Sequence, residues 1–364
     1  LSRYLVNPAL FPLQSLNKAL VAASRQKHYT SGETLVDVQL GLPALRRAIA
    51  QRYLELGYIV PMEEIVITCG AMESISLSLQ AVAYPGDLIL IDSPMFFSGI
   101  QLLKSLRLNV LEMPTDPQEG LDLGVLDKTL TKHKVAACLL MTNCQNPLGF
   151  TMPEAKKREL VQLLLRHNVP LVENDVYAEL QFDLTKSRAA KAFDANGMVL
   201  HCGSFTKCLA PGFNIGWVAT GRFREAIANL KFAMTLGTSM PPQAAIAHYL
   251  LHHAYDKHLR ALRQTLQQRI AQMSCAILAC FPTETRLSQP AGGFVLWVQL
   301  PEAADAFKLF ELAATRDIGI TPGPILSASG RYRNFIRLNC SHPWSDALDE
   351  SIRWLGASVM QMCA

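Results

Sequence analysis

The sequence predicts an α/β fold: a large domain built on a mainly parallel, seven-stranded sheet, joined to a smaller α+β domain. Three observations predict it. Seven short apolar runs, at 64–69, 87–92, 108–113, 135–142, 169–172, 198–202 and 215–220, alternate with helical stretches. Several of these runs end in polar or glycine-containing turns, the place where open α/β sheets hold ligands. After Pro242 the pattern changes to long helices with two short strands, at 294–300 and 334–340.

Taken in order, residues 1–29 read as a connecting segment that carries a helix over Leu13–Ser24, and 42–56 places apolar residues on one helical face and charges on the other. The run 64–69 is broken by Gly70 and followed by a helix over 71–83. Strand, glycine and helix together present free backbone N–H groups, a natural cradle for phosphate. Run 87–92 leads into Ser93-Pro94-Met95-Phe96-Phe97, and 135–142 into Asn143-Cys144-Gln145-Asn146-Pro147-Leu148-Gly149 and a helix over 153–167. Run 169–172 ends in Glu173-Asn174-Asp175-Val176-Tyr177. Run 198–202 ends in Gly203-Ser204-Phe205-Thr206-Lys207, with Pro211-Gly212 breaking the chain soon after. One long helical pattern is expected over 242–278, and further helices over 303–316 and 342–363. The expected division is a large domain of 30–255 and a small domain of 1–29 with 256–364, packed together because no flexible linker separates them.

Composition bounds the rest. The 364 residues, 50% hydrophobic and 18% charged, suffice for one large core or two domains sharing an interface. A net charge of +4 does not by itself point to nucleic acid or an anionic membrane. No apolar run reaches membrane-spanning length, no signal peptide is visible, and a cytoplasmic location is expected. The nine cysteines form no C-x-x-C pair, so buried free thiols in a reducing compartment are expected. His248, His252 and His253 share a helix, but no glutamate or third ligand follows at a metal spacing; a solvated helix face is expected and no metal. G-x-G-x-x-G after a strand and G-x-x-x-x-G-K-[ST] are both missing, which argues against a nucleotide-dependent dehydrogenase.

The polar sets at the strand ends match what pyridoxal phosphate demands. The cofactor needs a lysine amine, a carboxylate against its ring nitrogen, a donor to its phenolate oxygen and a nest of N–H groups for its phosphate. Asp175 and Tyr177, two apart in an extended segment, point to the same side. Asn146 is a second donor for the phenolate oxygen, and Phe96 an aromatic ring to stack on the cofactor.

With these residues in place, the chain resembles the fold-type I aminotransferases that use pyridoxal phosphate, whose fold is a three-layer α/β arrangement. It is most similar to the aminotransferase-like half of MocR-type regulators in the GntR superfamily. Stretches 41–46, 67–73, 142–149, 173–177, 204–217 and 335–341 carry the likeness, in the family's order and over nearly the whole chain. The resemblance implies that Lys207 forms the imine and acts catalytically, that Asp175 partners the ring nitrogen and that Tyr177 and Asn146 hold the phenolate oxygen. It implies that Phe96 stacks, that Gly70, Ala71, Met72 and Ser204 form the phosphate site, and that Arg337 clamps the substrate carboxylate. Two positions depart from the family pattern: Asn214 stands where an arginine is usual, and Val36 stands near a usual tyrosine that reaches the partner subunit's phosphate. Both departures fall at the phosphate end. The implied function is amino-group transfer from an amino acid to a 2-oxo acid through a Lys207 aldimine, in a homodimer. The alternative is an effector-sensing domain of a transcription regulator, which contacts DNA only through a winged-helix domain absent from this chain.

Overall fold

The computed structural model describes residues 1–25, 35–183 and 185–364. The elements begin with α1 (Leu13–Ser24), α2 (Leu35–Leu40), α3 (Pro43–Glu55), β1 (Ile65–Thr68), α4 (Gly70–Val82), β2 (Leu88–Ser93), α5 (Phe97–Ser105), β3 (Asn109–Asp116) and β4 (Gly120–Leu121). Next come α6 (Leu123–Lys132), β5 (Val135–Leu140), α7 (Glu154–Arg166), β6 (Leu171–Asn174), β7 (Val199–Ser204), β8 (Gly216–Ala219), α8 (Arg224–Thr235) and α9 (Met240–His252). The last are α10 (Tyr255–Cys280), β9 (Arg286–Leu287), β10 (Val295–Gln299), α11 (Ala306–Ala314), β11 (Thr321–Pro322), β12 (Phe335–Asn339) and α12 (Asp346–Cys363).

The large sheet runs β1-β8-β7-β6-β5-β2-β3-β4. It has eight strands rather than the expected seven. The extra one, β4, is a two-residue strand antiparallel to β3, too short to leave a hydrophobic period in the sequence. The pairs β2–β3, β2–β5, β5–β6 and β6–β7 are parallel. Strand β8 is antiparallel to both β7 and β1, so β1 runs in the same direction as β7. The carboxyl ends of β1, β2, β5, β6 and β7 therefore open on one edge of the sheet, and the start of β8 enters there too. The chain winds from β2 outward to β3 and then back through β5, β6 and β7, which makes β2/β5 a switch point of the kind where α/β proteins bind ligands.

Alternation along the strands separates the layers. Ile65, Ile67, Leu140, Leu171 and Ala219 pack on one side with residues of α1, α3, α7, α9 and α10. Val66, Ile89, Leu139, Val172 and Leu200 pack on the other with α4, α5 and α8. Each fully buried aliphatic side chain contributes roughly 1.5–3 kcal/mol, so this two-sided burial fixes register: a one-residue slip would turn both cores inside out. Side chains cap α6, α11 and α12, where Asp122, Asp305 and Ser345 accept from N–H groups of the first turn.

The second sheet, β11-β12-β10-β9, is antiparallel. Leu296, Val298, Ile336 and Leu338 cover Ile277 of α10 and Leu355 of α12. The long helix expected over 242–278 is two helices, α9 and α10, because His253 turns to extended backbone between them. Helix α1 lies against α9. Five of the cysteines are buried; Cys69, Cys275 and Cys363 are exposed and Cys280 is half-buried, which corrects the expectation of buried thiols throughout. Among the described residues no helix is long and apolar enough to cross a membrane, and no group of His, Cys, Asp or Glu is placed to hold a metal. The rings of His248 and His252 lie 4.5 Å apart.

Candidate active site

The sheet edge opens into a cavity of about 650 Å³. Ala71, Met72, Phe96, Asn146, Tyr177, Ser204, Lys207 and Arg337 all line it. Of the residues expected at the site, Gly70 and Asp175 are behind the wall rather than on it, next to the lining residues Ala71, Asn174 and Val176.

The phosphate end is built by β1 and α4. Helices begin with N–H groups that have no intrahelical acceptor, and those of α4 begin at Gly70. Glu73 takes the N–H of Cys69 at 2.6 Å and is held by the fully buried Lys231, whose Nζ stands 2.7 and 3.0 Å from its two carboxylate oxygens. Gly70 has φ +71°, the left-handed backbone that favours glycine, and a Cβ there would displace the Asn214 side chain, whose Oδ1 would lie 2.3 Å away. Asn214 is itself left-handed, with φ 47°, a conformation asparagine tolerates better than arginine. Across from α4, Ser204 Oγ lies 2.8 Å from Thr206 Oγ1 and accepts from the Thr206 N–H at 3.1 Å. The side chain of Val36 lies outside the described residues.

Asp175 is set from behind. Its N–H donates to Cys202 O at 2.9 Å, joining the ends of β6 and β7. Asn143 Nδ2 stands 3.2 Å from each of its carboxylate oxygens, and His201 Nε2 2.9 Å from Oδ2. Tyr53 OH accepts from Trp217 Nε1 at 2.8 Å and stands 2.7 Å from His201 Nδ1. A carboxylate oxygen accepts, so His201 presents its Nε2–H to Asp175. Burial holds the Tyr53 hydroxyl well above its ordinary range, which keeps it protonated. The orientation of Asn143 is fixed in turn by Lys157, fully buried, whose Nζ donates to Asn143 Oδ1 at 2.6 Å, Ser187 Oγ at 2.8 Å and Arg188 O at 2.7 Å. Asn143, His201, Tyr53 and Lys157 were not expected from the sequence. Lys157 lies in an amphipathic helix among other charges, and His201 in an apolar run; neither context marks them.

The reactive groups face inward from three elements. Lys207 Nζ donates to the Tyr4 carbonyl at 2.7 Å, and the Tyr4 ring lies 5.0 Å away. Burial and then the charge of Arg337 bring the Lys207 amine down to about 8. Tyr177 OH accepts from Asn146 Nδ2 at 3.4 Å, and burial pushes its hydroxyl up to about 12. Asn146 Oδ1 is buried without a partner. Arg337 sits in β12, an inner strand, paired with Thr321 on one side and Trp297 on the other. It is 6% exposed, donates through Nη2 to Ser2 O at 3.0 Å and Thr321 Oγ1 at 3.1 Å, and leaves Nε without a partner. Among the described residues no carboxylate pairs with it. A surface arginine on an edge strand is thereby excluded: this is a buried guanidinium lacking an anion, an arrangement that costs several kcal/mol by the general energetics of unpaired buried charge.

The class follows from this fold and this site together: the chain belongs to the class I and II aminotransferases, whose family model matches residues 10–353. It is 43% identical over 355 residues to an uncharacterized HTH-type transcriptional regulator, YdcR, of Escherichia coli (strain K12), covering 98% of this chain and 75% of that protein. It is 27% identical to aromatic-amino-acid aminotransferase 1 of Thermococcus litoralis, covering 88% of this chain and 78% of that one. The solved α-aminoadipate aminotransferase LysN of Thermus thermophilus, complexed with N-(5'-phosphopyridoxyl)-L-leucine, superimposes with a TM-score of 0.88 at 25% identity, over 100% of this chain and 92% of that one. Family and solved neighbours indicate pyridoxal phosphate as the cofactor. The residues present fit it: the helix start offers donors to a phosphate, Asn146 Oδ1 and Arg337 Nε are buried without partners, and a partly desolvated lysine amine lines the same cavity as Asn146, Arg337 and Ser204.

Two outcomes follow. Replacing Lys157 by Met removes the ammonium and leaves buried acceptors on Asn143 and Arg188 unpaired, at about 1–3 kcal/mol each. The urea midpoint of Lys157→Met is expected to fall with an unchanged slope, and the variant to hold the cofactor less tightly; an unchanged midpoint would show that Asn143 does not depend on this lysine. The second outcome concerns pH. The reactivity of Lys207 in the cofactor-free protein toward an amine-modifying reagent is expected to rise through pH about 8. Removing the positive charge of Arg337 relieves a repulsion that favours deprotonation, so Arg337→Met is expected to move this profile to higher pH. A shift to lower pH, or none, would show that Arg337 does not act on the amine.

Proposed function

We propose that the chain is a pyridoxal-phosphate-dependent aminotransferase acting on an amino acid. One observation carries this: a buried guanidinium without an anion shares a cavity with a lysine amine lowered to about 8 and with the start of a helix. Pyridoxal phosphate, when bound, supplies an aldehyde that captures amines and a protonated ring that takes up an electron pair from Cα. The N–H groups of Ala71 and Met72 and the Ser204 hydroxyl would hold its phosphate, with Gly70 giving the backbone room to turn. Asp175, just behind the wall and fixed by Asn143 and His201, would supply the carboxylate for the ring nitrogen. Tyr177 and Asn146 would donate to the phenolate oxygen, and Phe96 would stack on the ring. Lys207, brought down to about 8 and so partly deprotonated near neutral pH, would anchor the cofactor through its amine, and its Nζ would hold or move a proton at the substrate Cα. Arg337 takes the substrate carboxylate. In this reading 30–255 form the cofactor-binding unit and 1–29 with 256–364 the smaller one, the molecule is a two-fold dimer, and it works in the cytoplasm.

A second reading has support of its own in the 43% identity to an HTH-type regulator over 75% of that protein's length. There the same pocket binds pyridoxal phosphate or its amino-acid adduct and reports to a DNA-binding domain outside this chain, with little or no turnover. Transfer of the amino group to a 2-oxo acid, followed over many equivalents of substrate, separates the two: sustained product supports the enzyme, and a single equivalent supports the sensor.

The purified protein given pyridoxal phosphate is expected to develop a visible absorbance band and, after borohydride, a covalent label on the peptide carrying Lys207. Lys207→Ala is expected to lose both; a label of equal yield in the variant would show that another lysine serves. Arg337→Ala is expected to keep the band but to bind amino acids roughly tenfold to hundredfold more weakly, the worth of a charged hydrogen bond. Unchanged amino-acid binding would remove the clamp from the mechanism.

A further inference from the structure

Given the aminotransferase reading above, on which this rests, the cavity wall also specifies what the amino acid carries on its Cα. With the carboxylate at Arg337 and the amine toward Lys207, the side chain is left to the remaining surface. Lys207 and Arg337 are the only charged side chains on the described wall. Both are committed, and among the described residues no Asp, Glu or His lines the cavity; Asp175 lies behind the wall.

The clamp is bordered by apolar groups. Register places Pro322 opposite Ile336, next to the Thr321–Arg337 pair, and Ile320 precedes them, 1% exposed. The cavity wall continues through Ile325 to Phe307 and Phe310 on α11, and α11 and α5 both pack against the turn that carries Ile325. From the opposite side come Phe97 at the start of α5 and Met72 in the first turn of α4. Phe307, Phe310, Phe97 and Met72 are 43%, 38%, 42% and 38% exposed. Four large apolar side chains left half in water on one rim make a contiguous surface that gains by being covered. The N-caps of α5 and α11 do not change this: Phe96 makes no side-chain cap, and Asp305 spends its carboxylate on the N–H groups of Phe307 and Lys308 and on Arg333.

We infer that this site takes a neutral amino acid with a large apolar side chain, aromatic or branched aliphatic, and rejects dicarboxylic and dibasic ones. A second carboxylate would be desolvated against phenylalanine and isoleucine without a cation to meet it. A second ammonium would find no anion and would lie near Arg337. An apolar side chain instead covers the rim, and the phenylalanine rings offer edges and faces for another ring.

The test uses the full chain free of cofactor and calorimetric binding of reduced N-phosphopyridoxyl conjugates, which bind without turnover. The conjugates are those of L-phenylalanine, L-leucine, L-alanine, L-glutamate and L-lysine. The phenylalanine and leucine conjugates are expected to bind roughly tenfold to hundredfold tighter than the alanine conjugate, the worth of burying such a side chain. The glutamate and lysine conjugates are expected to be no tighter than alanine's. Equal binding of all five, or tightest binding of glutamate or lysine, overturns the inference and leaves the aminotransferase reading standing. Failure of every conjugate to bind more tightly than pyridoxal phosphate itself sinks that reading and takes this inference with it. Phe310→Arg, at a half-exposed position that folding tolerates, is expected to tighten the glutamate conjugate by roughly tenfold and weaken the phenylalanine conjugate. If it moves neither, Phe310 does not face the bound side chain and the rim is not the specificity surface.

Discussion

The N–H of Asp175 reaches the carbonyl of Cys202 across 2.9 Å, and this hydrogen bond sets how far the ends of β6 and β7 stand from each other. Everything at the sheet edge is measured from there. The β6–β7 register pairs Glu173 with His201 and Asn174 with Cys202, so Glu173 and His201 share the layer that also contains Tyr53, while Asn174 and Cys202 fall on the opposite face. His201 then meets Asp175 from below while Ser204, Thr206 and Lys207 leave the end of β7 into the cavity. A slip of one residue would turn His201 toward the α4 layer and leave Asp175 without its Nε2 partner. Parallel pairing, buried on both faces, resists that slip with two hydrophobic cores at once.

Among the described residues five lysines and arginines are buried, and three of them, Lys157, Lys231 and Arg337, border the site and are treated differently. Lys157 is fully enclosed and spends its three protons on Asn143, Ser187 and Arg188. Lys231 is equally enclosed and faces both oxygens of Glu73. Each is compensated, and each steadies one end of the site, Lys157 behind Asp175 and Lys231 behind the α4 N-terminus. Arg337 has only neutral acceptors. A structure that meets Lys157 and Lys231 with full sets of partners, and leaves a guanidinium nitrogen of Arg337 buried without one in the wall of a cavity, has placed its cost where a ligand recovers it.

Much of this was legible in the sequence because chemistry at a parallel sheet edge has a linear signature: an apolar run, then polar residues. That signature located Gly70, Ala71, Met72, Asn146, Asp175, Tyr177, Ser204 and Lys207, and all of them lie on or directly behind one wall. The supporting residues have no such signature. Tyr53 and His201 are 148 positions apart, Asn143 and Lys157 fourteen, and their meeting depends on how helices pack across the sheet. Helices α5, α6 and α8 are not among the expected elements, although each carries an amphipathic pattern and α6 an aspartate cap. Strand β4 and the break between α9 and α10 depend on tertiary context at two residues each. The departure at Asn214 was visible, but its reason was not: it lies against Gly70 in left-handed backbone, so the phosphate end is closed by a short amide rather than reached by a long cation.

The first five residues carry a consequence of their own. Ser2 and Tyr4 line the cavity, and the segment is tied by Asn339, which donates to the carbonyls of Leu1, Arg3 and Leu5, and by the carbonyls of Ser2 and Tyr4 that receive Arg337 and Lys207. An arginine can grip a carboxylate with two parallel N–H groups only by using Nη2, and both Nη2 protons are engaged here, one of them by Ser2. A carboxylate that takes that grip from Ser2 unfastens the segment, and an aldehyde that captures the Lys207 amine unfastens it again at Tyr4. Occupancy of the cavity and the path of residues 1–5 are then two descriptions of one equilibrium, and linkage works in both directions: a pull on the segment changes affinity at Arg337 by the same factor that binding there changes the segment's freedom.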